Sequence, residues 1–158
     1  MKELIKDENF YETQQFRQLW VWTIILLVMF ALITPIFFGV IGIILSIVLV
    51  SFSFGFIFLF WKMKLITTIK EDGINIIFVP FTNFIIPFSK IKYYKIREYR
   101  PIIEYGGWGI RFNKSGKAYT VFGTTGLQIS LLNGKEILIG TQRPDPILES
   151  LNKKMMLQ

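Results

Sequence analysis

"LWVWTIILLVMFALITPIFFGVIGIILSIVLVSFSFGFIFLFW" occupies residues 19–61, and no charged side chain lies between Arg17 and Lys62. One helix needs about 20 apolar residues to cross a hydrocarbon core about 30 Å thick. The stretch is therefore long enough for two crossings and a tight reversal, expected between Pro35 and Gly42. Trp20, Trp22 and Trp61 fall near the charged flanks, where indole rings favour the headgroup region. The first half is too long for a secretory signal, follows a partly acidic leader and lacks a small-x-small cleavage site. A hairpin buried in a soluble protein is the competing reading. "SFSFGFIFLF" (51–60) has the period of a strand, but inside so long an apolar run it reads as helix.

Lys2, Lys6 and Arg17 precede the apolar stretch, Lys62, Lys64 and Lys70 follow it, and the reversal carries no Lys or Arg. The positive-inside rule then places both termini in the cytoplasm of a multi-pass plasma-membrane protein. Residues 1–18 form a leader with apolar side chains at Leu4, Ile5, Phe10, Tyr11 and Phe16. Their loosely helical spacing fits a segment lying in the interface, or equally a frayed terminus. Inside the expected spans no side chain ionises, so no proton relay is visible. Gly42 and Ser46, and again Ser51 and Gly55, are small residues four apart. They suit close helix packing, either within the hairpin or between copies.

The chain of 158 residues is 52% hydrophobic and only 18% charged, too apolar for an ordinary soluble domain. It has neither Cys nor His, which excludes disulfides, thiolate or imidazole metal sites and a Ser-His-Asp triad. Beyond residue 62 the carboxylates are Glu71, Asp72, Glu98, Glu104, Glu136, Asp145 and Glu149. Their spacing suggests no acid–base pair and no oxygen-ligand cage. Neither catalysis nor a cofactor or metal is expected.

From residue 64 the period changes to that of strands. Short β-prone runs at 65–70, 74–79, 83–88, 94–99, 108–112, 117–122, 127–132 and 135–140 are parted by turn residues. Pro87 marks an edge strand or a strand end, and Asn133-Gly134 is a strong hairpin signal. "PDPILESLNKKMM" (144–156) reads as a helix with Pro and Asp early, Lys153 and Lys154 late, and Ile147, Leu148 and Leu151 buried. The expected fold is a membrane α-helical hairpin (19–61) followed by an α+β domain (64–158). That domain would hold seven or eight antiparallel strands in a small bent barrel, or a pair of orthogonal sheets, capped by the C-terminal helix.

Such a plan, with the tract "GWGIR…AYTVFGTTGLQISLLNGKEILIGTQRP" between Gly107 and Pro144, resembles the bacterial PH-like (pleckstrin-homology-like) membrane proteins with an N-terminal transmembrane hairpin. The resemblance implies a fold and a cytoplasm-facing placement. It implies no activity, and a phosphoinositide-binding role is not carried over.

"SKIKYYKIREYR" (89–100) collects Lys90, Lys92, Lys95, Arg97 and Arg100 among tyrosines. As a strand it would turn Ile96 inward and Lys95 and Arg97 outward. The cations then face water, an anionic lipid surface or a protein partner. Near an anionic leaflet each would contribute about 1 kcal/mol. Nucleic acid is not expected, because the net charge is only +7 and no recognition motif is present. Trp108 and Arg111 among Gly106, Gly107 and Gly109, and Arg143 before the last helix, are possible partner or anion sites. Alternation of Trp108, Ile110 and Phe112 into the core, and capping with an exposed Arg143, are the preferred explanations. The functional expectation is a scaffolding or binding module on a membrane anchor, possible lipid contact included. Its alternative is an accessory subunit of a transport or export complex acting through its helices.

Overall fold

The structure, a computed structural model, describes residues 10–113 and 116–156. It divides into two compact units, one of Phe16–Met63 and one of the chain up to Gln15 together with Lys64 onward.

The first unit holds α1 (Leu19–Phe37) and α2 (Ile43–Lys62), each long and apolar enough to cross a membrane. Pro35 sits inside the last turn of α1 rather than at the reversal. The break falls later, at residues 38–42, where Gly39 takes φ +64°, a conformation costly for a residue with Cβ. Phe16, just before α1, meets Phe60 of α2 edge-on at 5.9 Å. Phe52, Phe56 and Phe60 stack in sequence along α2, with centroids 6.0 and 4.9 Å apart. The alternating phenylalanines are thus helical, as the length of the apolar run requires.

Of the four small residues spaced four apart, Ser46 alone is buried, and Ser53 joins it. Ile25 and Met29 of α1 and Ser46 and Ser53 of α2 are buried. Positions seven apart differ by about 20° around a helix of 3.6 residues per turn, so Ser46 and Ser53 share one stripe. Gly42, Ser51 and Gly55 are exposed, and a Cβ added at either glycine would meet open space. The hydroxyls of Thr23, Thr34, Ser46 and Ser53 each donate to the carbonyl four residues earlier, which satisfies them without a partner helix.

The second unit begins with a strand the sequence concealed. β1 (Tyr11–Gln15) lies in the stretch expected to be loosely helical or frayed. It pairs with β2 (Lys64–Ile69), which pairs with β3 (Gly73–Val79), which pairs with β4 (Thr82–Pro87), all antiparallel. Pro87 closes β4, an edge of this sheet, where its missing N–H breaks no ladder. Register assigns the faces. Glu12, Gln14, Leu65, Thr67, Ile69, Ile74, Ile76 and Phe78 point inward, while Tyr11, Thr13, Lys64, Ile66, Ile77 and Val79 point outward.

The second sheet has the order β5-β8-β9-β7-β6, from β5 (Ile91–Glu98), β6 (Gly109–Phe112), β7 (Gly116–Thr120), β8 (Thr125–Leu131) and β9 (Glu136–Gly140). The Asn133-Gly134 hairpin joins β8 to β9, with Gly134 at φ +80° and Leu127 opposite Ile139, Ile129 opposite Ile137. β7 runs parallel to β9, so the expected all-antiparallel small barrel is replaced by two sheets, an antiparallel one of four strands and a mixed one of five. A short helix, α3 (Pro101–Tyr105), precedes β6, and α4 (Pro144–Met156) buries Ile147 and Leu151. Leu127, Ile129, Ile139, Ile147 and Leu151 are fully buried. Each such side chain contributes about 1.5–3 kcal/mol relative to exposure. The rings of Phe84 in β4 and Tyr119 in β7 meet at 5.3 Å, so the two sheets share this core.

Candidate interaction surface

The basic stretch is split by the structure into free and engaged cations. Lys90 ends a single 3₁₀ turn and Lys92 and Lys95 lie on β5; all three are exposed, as is Tyr93. β5 is an edge strand, and its register shifts between Ile91 and Tyr93. A bulge and lysines are devices that keep a sheet edge from accepting another strand. The bulge also resets the alternation, and Tyr94 reaches α4 through its hydroxyl, which donates to Asn152 Oδ1 at 2.7 Å.

Arg97 is not part of the free strip. Its Nη1 lies 2.9 Å from Glu104 Oε2, and Nε donates to Gln128 Oε1 at 3.0 Å. Nη2 donates to the Tyr105 hydroxyl and Nη1 to the Glu98 carbonyl, both at 3.2 Å. Gln128 in turn donates to Glu136. Burial acts to raise the Glu104 carboxyl, but the Arg100 amide and the guanidinium of Arg97 outweigh it and hold the group below its ordinary range. Arg100 itself caps α3, its N–H donating to Glu104 Oε1 at 2.7 Å, and its side chain is exposed. Pro101 at the start and Gly106 in the left-handed conformation at the end are the usual bounds of a helix. That pair was the signal by which α3 could have been found.

The other two candidates are held by local structure. Trp108 Nε1 donates to the Gly123 carbonyl at 3.0 Å, and Arg111 Nε donates to the Trp108 carbonyl at 3.0 Å. Phe112 is exposed rather than in the core, with Lys117 Nζ 5.2 Å from its ring centroid. Arg143 lies over the Phe10 ring at 5.5 Å, and its Nη1 donates to the Tyr11 carbonyl at 3.4 Å.

An anion does sit against the segment before α4, and it belongs to the chain itself. Glu12, 6% exposed, accepts from Thr141 Oγ1 at 2.6 Å, from the Gln142 N–H at 2.7 Å and from Gln14 Nε2 at 3.1 Å. Gln14 also donates to the Gly140 carbonyl at 2.7 Å. Glu12 was not among the candidates from sequence because the leader read as interfacial helix or frayed terminus, not as a strand. Its one signal was alternation with Thr13 and Gln14, too short to identify a strand.

Between α1 and α2 lies an open apolar groove of about 570 Å³, lined by Leu26, Met29, Phe30, Ser53, Phe54 and Ile57 among others. The Ser53 hydroxyl is spent on a helix carbonyl, so the groove lacks the convergent polar groups of a small-molecule site. Among the described residues no three acidic side chains come together as metal ligands would. No protein-family model matches the chain, nor does any curated protein or solved structure.

Proposed function

We propose that this is a membrane-anchored binding module whose β unit recruits an acidic protein partner through the cationic edge of β5. In this reading α1 and α2 cross the membrane as a hairpin and both termini face the cytoplasm. The observation that carries it is the place of the helices in the chain. They interrupt one sheet between neighbouring strands, with Gln15 at the end of β1 paired to Lys64 at the start of β2. Only residues 16–18 separate β1 from α1, and only Met63 separates α2 from β2. The anchor therefore has almost no linker, and the module is held at the membrane surface. Two sheets followed by a C-terminal helix support a PH-like kinship as part of the proposal.

The lysines begin at the end of the first sheet remote from the residues that join it to α1 and α2. Phe88 donates to the Asp72 carbonyl, and Gly73 pairs with Pro87. The β5 segment thus starts beside the β2–β3 turn, at the end of the first sheet opposite Gln15 and Lys64. A six-residue strand is about 20 Å long, whereas charges are screened over about 8 Å at physiological salt. Lys90 is therefore separated within the β unit from Gln15 and Lys64 by more than a screening length.

A photo-cross-linking residue at position 93 of the full chain, in native membranes resistant to carbonate extraction, tests this. A discrete protein adduct that vanishes in K90E/K92E/K95E is the expected result. Adducts with lipid alone would restore the lipid-facing reading, and none at all would make β5 a solvated edge.

The alternative, an accessory subunit of a membrane complex, is favoured by one observation: Gly42 and Gly55 turn their bare backbone to open space. Gly55→Leu would then release a co-purifying membrane protein, an effect that the β5 reversals would not produce.

A further inference from the structure

We infer that the anchor end of the first sheet, the Pro80–Phe81 turn with Val79 and Ile77 beside it, sits in the headgroup boundary of the bilayer. This rests on the reading of α1 and α2 as membrane spans. Lys64, one residue after Met63, lies directly opposite Val79. Phe81 stands two residues further along, at the tip of the turn, where its N–H donates to the Phe78 carbonyl at 2.7 Å. Consecutive Cα atoms are about 3.8 Å apart and paired strands about 4.8 Å apart. The turn therefore cannot lie far from the point at which the chain enters the bilayer.

The chemistry of this end suits that place. Phe81 is 56% exposed, its ring tilted by 39° to that of Phe78 at a centroid distance of 6.4 Å. Outward-facing Ile66 and Ile77 are directly cross-strand and, like Val79, only partly covered. Their neighbours Thr13, Gln15, Lys64, Thr82 and Asn83 add one cation and no carboxylate. An isolated exposed Phe needs no explanation, but an exposed aromatic beside an acid-free apolar patch at a tether does. Aromatic rings and Lys stems are the groups that settle at the interface. At the opposite end of the same strands, Lys70, Glu71, Asp72 and Lys90 are exposed and charged. The occupant of the patch is the lipid surface.

The chain has no cysteine, so single-Cys variants of the full protein each report one position. Bimane would be attached at F81C, at N83C beside it, at K70C on the far end, and at L27C and V48C in the spans. Each variant is reconstituted in vesicles of phosphatidylcholine and phosphatidylglycerol, with and without brominated acyl chains. The expected result is loss of fluorescence at 27, 48 and 81 and unchanged fluorescence at 70. N83C replaces F81C should the latter not fold. Equal quenching at 81 and 70, strong or weak, overturns the inference while the spans remain quenched. Absence of quenching at 27 and 48 instead overturns the anchor reading, and this inference falls with it.

Discussion

Glu12 lies in an acidic leader and Arg97 in a basic stretch, and the β unit uses the two charges in opposite ways. Glu12 is taken inside. Three neutral donors, Thr141, Gln142 and Gln14, satisfy its carboxylate, and this bond set ties the first strand to a segment about 130 residues away. Arg97 stays partly in water, paired with Glu104 and braced by Gln128 and Tyr105. The difference teaches where stability resides. A buried charge with its hydrogen bonds complete is costly to disturb, because removing one member strands the others. A partly exposed ion pair is worth about 0–1 kcal/mol.

The largest test of that contrast is Glu12→Ala. It removes the acceptor of three donors and frees β1 from the 141–143 segment, so the β unit should lose about 2–4 kcal/mol. Glu12→Gln, which keeps the shape but offers one acceptor oxygen fewer, should lose about half as much. Denaturant unfolding of the detergent-solubilised full chain measures both, and a loss under about 1 kcal/mol for Glu12→Ala would show that β1 is dispensable.

The Arg97 side has an alkaline signature. Tyr105, which accepts from Arg97, packs edge-on against Tyr99 at 6.2 Å. Burial pushes the Tyr99 hydroxyl up to about 12, and it also raises Tyr105. A folded-state value above the unfolded one, about 10 for tyrosine, means stability that is complete below the unfolded value and lost as pH rises through the folded one. The melting temperature should therefore fall between pH about 10 and 12, and less steeply in Tyr99→Phe. Identical alkaline limbs would place the loss in other tyrosines.

The smallest effects separate the two classes of cation on β5. Arg97→Ala should cost about 1 kcal/mol, and Lys95→Ala, exposed on the same strand, should stay within about 0.5 kcal/mol. Equal losses would mean that the Glu104 pair contributes nothing and that the contrast with Glu12 is larger still.

Much of this architecture was legible. The two long helices follow from an uncharged run, the β8–β9 hairpin from Asn133-Gly134 with alternation on both sides, and α4 from its Pro, Asp and Lys placement. What escaped was non-local. β1 is five residues of mixed polarity, YETQQ, whose inward positions are Glu12 and Gln14, so its hydrophobic pattern is absent. The parallel β7–β9 pair joins strands separated by another strand, and local periodicity carries no information about such partners. The candidate surface was half legible: the exposure of Lys90, Lys92 and Lys95 follows from charge, whereas the engagement of Arg97 depends on Glu104 being carried back on α3.

Hydropathy, glycine and proline act locally, so the residues alone mark which segments form long apolar helices and where the chain turns. That the apolar helices interrupt a sheet, that Ser46 and Ser53 rather than Gly55 are buried, and that a leader carboxylate belongs to the core emerges only from the folded chain. Those outcomes depend on register and on partners distant along the chain, where the desolvation of one group is offset by donors that no neighbouring residue supplies.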